Sequence, residues 1–126
     1  LQQLQEMHSH KTGALIRASV RLGGISSTDA NSDQLDALDE YAKALGLAFQ
    51  IRDDIIDQIS STEVLGKTQG ADQALNKPNY VDLLGLEAAQ EQLEELHERA
   101  GEALQSFGEN ALMLRLIADF VVQRLH

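Results

Sequence analysis

Hydrophobic side chains recur every three or four positions along most of the chain, a spacing that places them on one face of a helix. The pattern predicts two long helices in the first half, over residues 1 to about 22 and about 33 to 59. It predicts a short helix over residues 80–84, a longer one over 86–107 and a final one over 111–125. Because the sequence shows no strand-like alternation, we expect an all-α fold built as an antiparallel helix bundle.

Two polar stretches interrupt this pattern. Residues 8–13 (HSHKTG) break the first helix, and a glycine there costs up to about 1 kcal/mol against alanine, which predicts a kink or a site. His8 and His10 are two positions apart and do not share a helix face, so they are not expected to form a metal site. Asn31 or Ser32 is expected to cap the second helix.

The last predicted helix, over residues 111–125, is apolar around most of its circumference. Such a helix is normally buried against others, so we expect it to pack inside the bundle. Gly46 lies in the middle of the second helix, where close packing of another helix is the favoured explanation for a glycine.

The composition narrows the choice of partners. The 10 Lys+Arg residues against 20 Asp+Glu give a formal charge of -10, which argues against nucleic acid or an anionic membrane surface as a bulk partner. There is no cysteine, and no apolar run approaches the roughly 20 residues that span a bilayer. We therefore expect a cytoplasmic protein. Residues 1–7 resemble the middle of a helix without a start Met or cap, which predicts a truncated N-terminus.

Asp53, Asp54 and Asp57 lie within little more than one turn of the second helix. Helical spacing predicts that they form one stripe with Gln50, apart from an apolar stripe that includes Ile51. Carboxylates this close repel one another, and a cation reverses that cost. Hard oxygen ligands without cysteine favour Mg²⁺, which usually takes one or two carboxylates and completes its shell with water and phosphate. Taken alone, the triplet would more often be a solvated acidic face.

Basic residues in two places are candidates for binding an anion beside these aspartates. Lys11 and Thr12 lie in the break of the first helix, where a lysine and a hydroxyl can hold a phosphate oxygen; the alternative is an ordinary surface lysine. Lys67 and Lys77 lie in residues 60–80, a stretch without periodicity that is predicted to be a functional loop. The tripeptide Gly66-Lys67-Thr68 lacks the upstream glycine and the preceding strand of a P-loop, so a P-loop is not expected here.

The motifs that carry chemistry occur in a specific order and spacing. They are Lys11-Thr12-Gly13-Ala14-Leu15-Ile16, Phe49-Gln50 before Asp53-Asp54-Ile55-Ile56-Asp57, then Leu65-Gly66-Lys67 and Gly70-Ala71-Asp72. In this order the chain resembles the trans-prenyltransferases (polyprenyl synthases) and is most similar to the bacterial farnesyl diphosphate synthases. The resemblance runs nearly end to end, and it covers what looks like the C-terminal portion, less than half, of a usual family member.

The resemblance implies a fold, a reaction and partners. Residues 1–126 would be the C-terminal portion of a single prenyltransferase domain with the all-α isoprenoid synthase fold. The family implies Mg²⁺-dependent condensation of isopentenyl diphosphate with an allylic diphosphate, here geranyl to farnesyl diphosphate, in a homodimer. Because the first acidic motif of the family lies upstream of Leu1, we expect the chain to be inactive alone.

The resemblance also assigns roles to residues. Asp53, Asp54 and Asp57 match the second of two facing metal motifs, with Asp53 as the direct ligand. The matching substrate residues are Lys11 and Lys67 on the allylic diphosphate, Thr12 and Gln50 near the ionising carbon, and Lys77 at a more peripheral position. All of these except Lys77 are expected to be catalytic, because ionisation leaves new negative charge on pyrophosphate and positive charge on carbon.

The sequence departs from the family pattern in one place and leaves other functions to be weighed. Lys77-Pro78-Asn79-Tyr80 replaces the hydroxyl-bearing pair that usually follows this lysine. The alternatives are a longer-chain synthase of the same family, a noncatalytic helical subunit and a terpene cyclase. A noncatalytic subunit would be marked by a defective acidic triplet, and a cyclase by Asn, Ser or Thr and Glu at the second metal site. Neither mark is present.

Overall fold

The computed structural model describes residues 1–65 and 79–126, apart from the side chains of Ser9, Val64 and Leu65. Regular structure in these residues is entirely helical, which confirms the predicted all-α bundle. The helices are α1 (Gln2–His10), α2 (Thr12–Ile25), α3 (Ser32–Leu65), α4 (Tyr80–Leu84), α5 (Leu86–Ala103) and α6 (Leu112–Gln123), with a 3₁₀ segment over Gln105–Ala111.

The central element of the bundle is α3, which contacts each of the other five helices. Its Tyr41, Ile51 and Ile55 are completely buried. The hydroxyl of Tyr41 donates a hydrogen bond of 2.8 Å to the carbonyl oxygen of Leu114, which ties α3 to α6, and burial raises the pKa of Tyr41 to about 12. The aspartate turn therefore lies on the helix that contacts all the other described helices.

The first predicted helix is divided into α1 and α2 at Lys11, whose backbone has φ -86 and ψ -92. The predicted break is confirmed. Immediately after it, Gly13 is buried against α3: a Cβ added at Gly46 would lie 3.1 Å from the Cα of Gly13. The two glycines let the backbones of α2 and α3 approach closely, as expected for Gly46.

The start of α3 is fixed by a reciprocal cap. The side-chain oxygen of Asn31 accepts the backbone N–H of Gln34 at 2.9 Å, and the amide oxygen of Gln34 accepts the backbone N–H of Asn31 at 3.1 Å. This capping box satisfies two helix-terminal donors at once. Asn31 is thus the predicted cap, and the helix it starts ends at Leu65, six residues beyond the predicted boundary.

The second half of the chain turns at two glycines with positive φ. Gly85 (φ 85) separates α4 from α5, and Gly108 (φ 55) lies in the 3₁₀ segment before α6. Both values favour glycine because a Cβ is strained there. Arg115 donates to the carbonyl oxygen of Gly108 at 2.7 Å, and His97 and Asp119 join α5 to α6 at 2.6 Å.

The last helix packs against others, as expected, but among the described residues it does so on one face alone. In α6, Ala118 and Val121 are buried, but the large apolar residues on its other faces are exposed: Leu112, Met113, Leu116, Ile117 and Phe120. Periodicity indicates which positions are apolar, not how many neighbours the helix has. None of the helices in the described part of the chain is long and apolar enough to cross a membrane.

Candidate functional site

The three aspartates of α3 lie in three different environments. Asp53 is partly exposed, Asp57 is exposed, and Asp54 is buried with 8% of its surface accessible. Positions 53 and 57 are one turn apart and share a face, whereas position 54 is rotated toward the buried side that carries Ile51 and Ile55. The predicted single stripe is therefore wrong in one respect, because Asp54 belongs to the buried face.

Asp54 makes two hydrogen bonds within the protein. The backbone N–H of Tyr80, the first residue of α4, donates to its Oδ2 at 2.8 Å, and the side-chain amide of Gln50 donates to its Oδ1 at 3.3 Å. Burial raises the pKa of Asp54, and the nearby charge of Asp57 adds to the increase. The bonds from Tyr80 and Gln50 and the neighbouring His8 act in the opposite direction.

His8 connects the break between α1 and α2 to this carboxylate. Its ring lies 5.7 Å from the ring of Tyr80, between centroids. Burial lowers the pKa of His8, and Lys11 lowers it further, while Asp54 and Gln50 oppose the decrease. The predicted residues Lys11, Gln50 and Asp54 are therefore electrostatic neighbours of one histidine.

Sequence reasoning considered His8 only as half of a metal-binding pair and missed this position. A usable signal was present, because His8 and Lys11 are three residues apart and so lie on one side of a helical turn. Thr12, also predicted for the site, begins α2 and is half-buried.

Asp53 forms an ion pair with Arg124, which follows α6. The guanidinium of Arg124 is held in place from several sides: it lies 4.2 Å from the centroid of the Phe49 ring and donates to the carbonyl oxygen of Phe49 at 3.1 Å. Arg52 donates to the carbonyl oxygen of Arg124 at 2.8 Å. The Arg124 side chain is only 13% exposed, so the carboxylate of Asp53 is balanced by a fixed positive charge.

The carboxylate oxygens of the aspartate turn are suitable ligands for a hard divalent cation, although they do not surround a metal site on their own. Across residues 1–65 and 79–126 no group of three or more His, Cys, Asp or Glu side chains is arranged to hold a metal ion. Mg²⁺ does not require one, because it usually binds one or two protein carboxylates and retains water. Asp53 and Asp57 are two carboxylates on one face of α3, and the first of them is paired with Arg124. Lys67 and Lys77, the other predicted substrate residues, lie outside the described residues.

The fold and this site together define an all-α protein in which His8, one turn before the helix break at Lys11, lies near the buried aspartate of the central helix. Comparison with known proteins identifies the protein family. The family model for polyprenyl synthetase matches residues 1–115. The chain belongs to the polyprenyl synthetase family, as its sequence motifs predicted.

Individual relatives agree with this assignment. The chain is 47% identical to farnesyl diphosphate synthase of Escherichia coli (strain K12) over 98% of its length, and 43% identical to a dimethylallyltranstransferase of Fischerella ambigua (strain UTEX 1903), also over 98%. It is 40% identical to a chloroplastic geranylgeranyl pyrophosphate synthase of Catharanthus roseus.

A crystal structure of a Marinomonas sp. MED121 protein, described as a candidate farnesyl-diphosphate synthase, superimposes with a TM-score of 0.82 at 41% identity. The alignment covers 98% of this chain and 40% of the Marinomonas protein. Against the Escherichia coli synthase the chain likewise spans 42% of the length of its relative. The comparisons therefore concern less than half of each relative.

Proposed function

We propose that this chain is part of a Mg²⁺-dependent prenyltransferase that condenses isopentenyl diphosphate with an allylic diphosphate, extending geranyl to farnesyl diphosphate. The observation that carries the proposal is the junction of α1 and α2 beside the aspartate turn of α3. There Lys11 lies at the helix break, and His8, one turn earlier, interacts with both Lys11 and Asp54. The names of the relatives support the reaction class.

The residues of the chain have distinct tasks in this reaction. Asp53 and Asp57 would hold Mg²⁺, which supplies charge stabilisation to the departing diphosphate. Lys11 adds a positive charge immediately before the start of α2, where it is exposed. Gln50 is held by Asp54, so the direction of its amide dipole is fixed before substrate binds. Thr12 would offer its hydroxyl beside Lys11.

The proposal also covers the parts of the protein that lie outside this chain. Residues 1–126 would form the C-terminal portion of a single prenyltransferase domain, which acts as a cytoplasmic homodimer on its two diphosphate substrates. Lys67 and Lys77 would add positive charge for the diphosphates. A second acidic motif in the same protein would complete the metal site.

A longer-chain synthase is the alternative with specific support, since the geranylgeranyl pyrophosphate synthase of Catharanthus roseus is only slightly less similar, 40% against 47%, than the Escherichia coli enzyme. Chromatography of the products of the longest natural protein that contains these residues separates the two. A noncatalytic subunit is disfavoured because all three aspartates are retained.

Replacing Asp53 tests the function directly. In the longest natural protein that contains this chain, we expect Asp53→Ala to lower the rate of condensation by about 10³-fold, because the charge that binds the metal is lost. Asp36→Ala, an exposed aspartate on the same helix, is the matched control and should retain the wild-type rate. A near-normal rate for Asp53→Ala would remove Asp53 from the metal site.

A further inference from the structure

We propose that Arg124 competes with the cation for Asp53: its guanidinium neutralises this carboxylate while the cation is absent and leaves it when the cation binds. This inference rests on the proposed function, because it takes Asp53 as a metal ligand. It adds a residue that follows α6 and that the proposed reaction does not use. Cation binding and the docking of this segment on α3 therefore oppose each other.

Arg124 is docked on α3 by several contacts. Its guanidinium pairs with the carboxylate of Asp53, donates to the carbonyl oxygen of Phe49 at 3.1 Å and lies 4.2 Å from the centroid of the Phe49 ring. The carbonyl oxygen of Arg124 accepts a hydrogen bond from Arg52 at 2.8 Å. The Arg124 side chain is only 13% exposed, so its charge lies against the aspartate turn rather than in solvent.

Two positive charges cannot share one carboxylate without cost. The guanidinium donates to Oδ1 of Asp53. A cation at this oxygen would have to displace the guanidinium, and a cation at the other oxygen of the same carboxylate would lie close beside a like charge. Their repulsion is strong because Arg124 is largely buried, and solvent screens buried charges less than exposed ones. Cation binding therefore weakens the hold of Asp53 on Arg124.

The aspartate turn requires a compensating charge when no cation is bound. Asp53, Asp54 and Asp57 lie within little more than one helical turn, and like charges at this spacing repel one another. Among the described residues, these three aspartates make one ion pair, the pair between Asp53 and Arg124. Arg124 is thus the counterion of the turn in the metal-free protein.

The segment that carries Arg124 can leave α3 without opening the core. The helix α6 ends at Gln123, and Leu125 is 81% exposed, so Leu125 adds little to the docking. The docked guanidinium is also incompletely satisfied, because its Nε is buried and has no hydrogen-bond partner among the described residues. An unpaired buried donor is costly, and release of Arg124 into water removes this cost.

Competition for one carboxylate has a reciprocal consequence. If the cation weakens the docking of Arg124 by a given factor, docking weakens cation binding by the same factor. Removal of the guanidinium should therefore strengthen cation binding. A residue that served only to orient Asp53 would have the opposite effect, since its removal would weaken cation binding. The sign of the change separates a competitor from an orienting partner.

The experiment uses the wild type, Arg124→Gln and Asp53→Asn in the longest natural protein that contains this chain. Mn²⁺ affinity is measured by titration. Arg124→Gln should strengthen Mn²⁺ binding by about five-fold or more, and Asp53→Asn should weaken it by about ten-fold or more. Arg115→Gln is the matched control, because Arg115 donates to the carbonyl oxygens of Gly108 and Leu104 and pairs with no described carboxylate. It should change Mn²⁺ affinity by less than about two-fold.

A second measurement follows the docking itself. The backbone N–H of Arg124 donates to the carbonyl oxygen of Phe120 at 3.0 Å, so its hydrogen exchange reports on the segment after α6. In the wild type, Mg²⁺ should speed exchange at Arg124 by about three-fold or more. Exchange at Ala118, inside α6, should not become faster. In Asp53→Asn, Mg²⁺ should have no effect on exchange at Arg124.

The proposal is overturned if Asp53→Asn weakens Mn²⁺ binding while Arg124→Gln leaves it unchanged or weakens it. If Arg124→Gln does not fold, the wild-type protein still decides, because exchange at Arg124 that Mg²⁺ leaves unchanged or slows contradicts the competition. If Asp53→Asn leaves Mn²⁺ binding intact, the proposed metal site itself fails, and the competition for Asp53 fails with it.

Discussion

At the scale of single residues, His8 gives the protein a pH dependence with a definite sign. Burial lowers its pKa from the ordinary value of 6.5, with Lys11 adding to the decrease against the opposing Asp54 and Gln50. As the pH falls below the ordinary value, the unfolded chain therefore binds the proton before the folded one does. The stability that His8 contributes to the folded protein is fully present at pH values above its ordinary pKa of 6.5. That stability is lost as the pH falls from this value toward the lower pKa that His8 has in the folded protein.

Substitution of His8 should remove this dependence. We expect the melting temperature of the wild-type protein, measured in chelator, to fall further between about pH 8 and about pH 5.5 than that of His8→Gln, because Gln stays neutral over the whole range. The measurement at the higher pH supplies the control, since neither side chain is charged there. Equal falls in the two proteins would show that His8 is protonated equally readily in the folded and unfolded chains.

The sequence predicted that the three aspartates lie on one long helix, but not their separate environments. Their number and spacing indicate a hard cation, and the motif order indicates the family. Which aspartate is buried depends on Tyr80, 26 residues farther along the chain, and which one is paired depends on Arg124, 71 residues farther. Helical periodicity places a side chain on a face and carries no information on what a distant segment brings to that face.

At the scale of secondary-structure elements, the sequence correctly predicted the features that depend only on residues close together in the chain. The polar break with Gly13 predicted the division at Lys11, and Asn31 with Gln34 forms a capping box that is visible in the sequence. The ends of elements were less predictable. The helix predicted over residues 86–107 ends earlier in the structure: α5 stops at Ala103 because the chain tightens into a 3₁₀ segment before Gly108. Short 3₁₀ segments at helix ends leave little trace in hydrophobic periodicity.

The close crossing of α2 and α3 can be tested with one pair of glycine substitutions. In Gly46→Ala the added Cβ would lie 3.1 Å from the Cα of Gly13, so the two helices must separate by a few tenths of an ångström. Alanine gains up to about 1 kcal/mol in helix propensity, but overpacking against backbone costs about 1–3 kcal/mol. We expect a net loss of about 1 kcal/mol in the free energy of unfolding by denaturant titration.

Gly101→Ala is the matched control for this substitution. It lies in α5, and a Cβ there has no atom within 4 Å, so only the propensity gain remains. The control should stabilise the protein by about 0.5–1 kcal/mol. If Gly46→Ala were as stabilising as the control, the approach of α2 to α3 would be looser than the structure has it.

At the scale of the whole molecule, the helix bundle combines a buried core with a large exposed apolar surface. The bundle has a core around α3, yet α6 and α2 expose large apolar side chains, among them Phe120 at 68% and Leu15 at 70%. The sequence predicted burial for α6 because a helix apolar on most faces normally has neighbours on most faces. Among the described residues, α6 has neighbours on the face that carries Ala118 and Val121, and the relatives are more than twice as long as the chain.

Under the proposed function, the 126 residues on their own should not catalyse condensation. One aspartate turn offers two carboxylates that solvent reaches, Asp53 and Asp57, and Asp53 is already paired with Arg124. These carboxylates lie on one side of the leaving diphosphate, whereas its ionisation needs fixed charge on more than one side. Turnover of radiolabelled isopentenyl diphosphate by the purified chain, measured beside the Escherichia coli farnesyl diphosphate synthase as a positive control, checks this. Turnover by the chain alone would mean that a single acidic turn suffices, and the second motif would no longer be needed to explain the reaction.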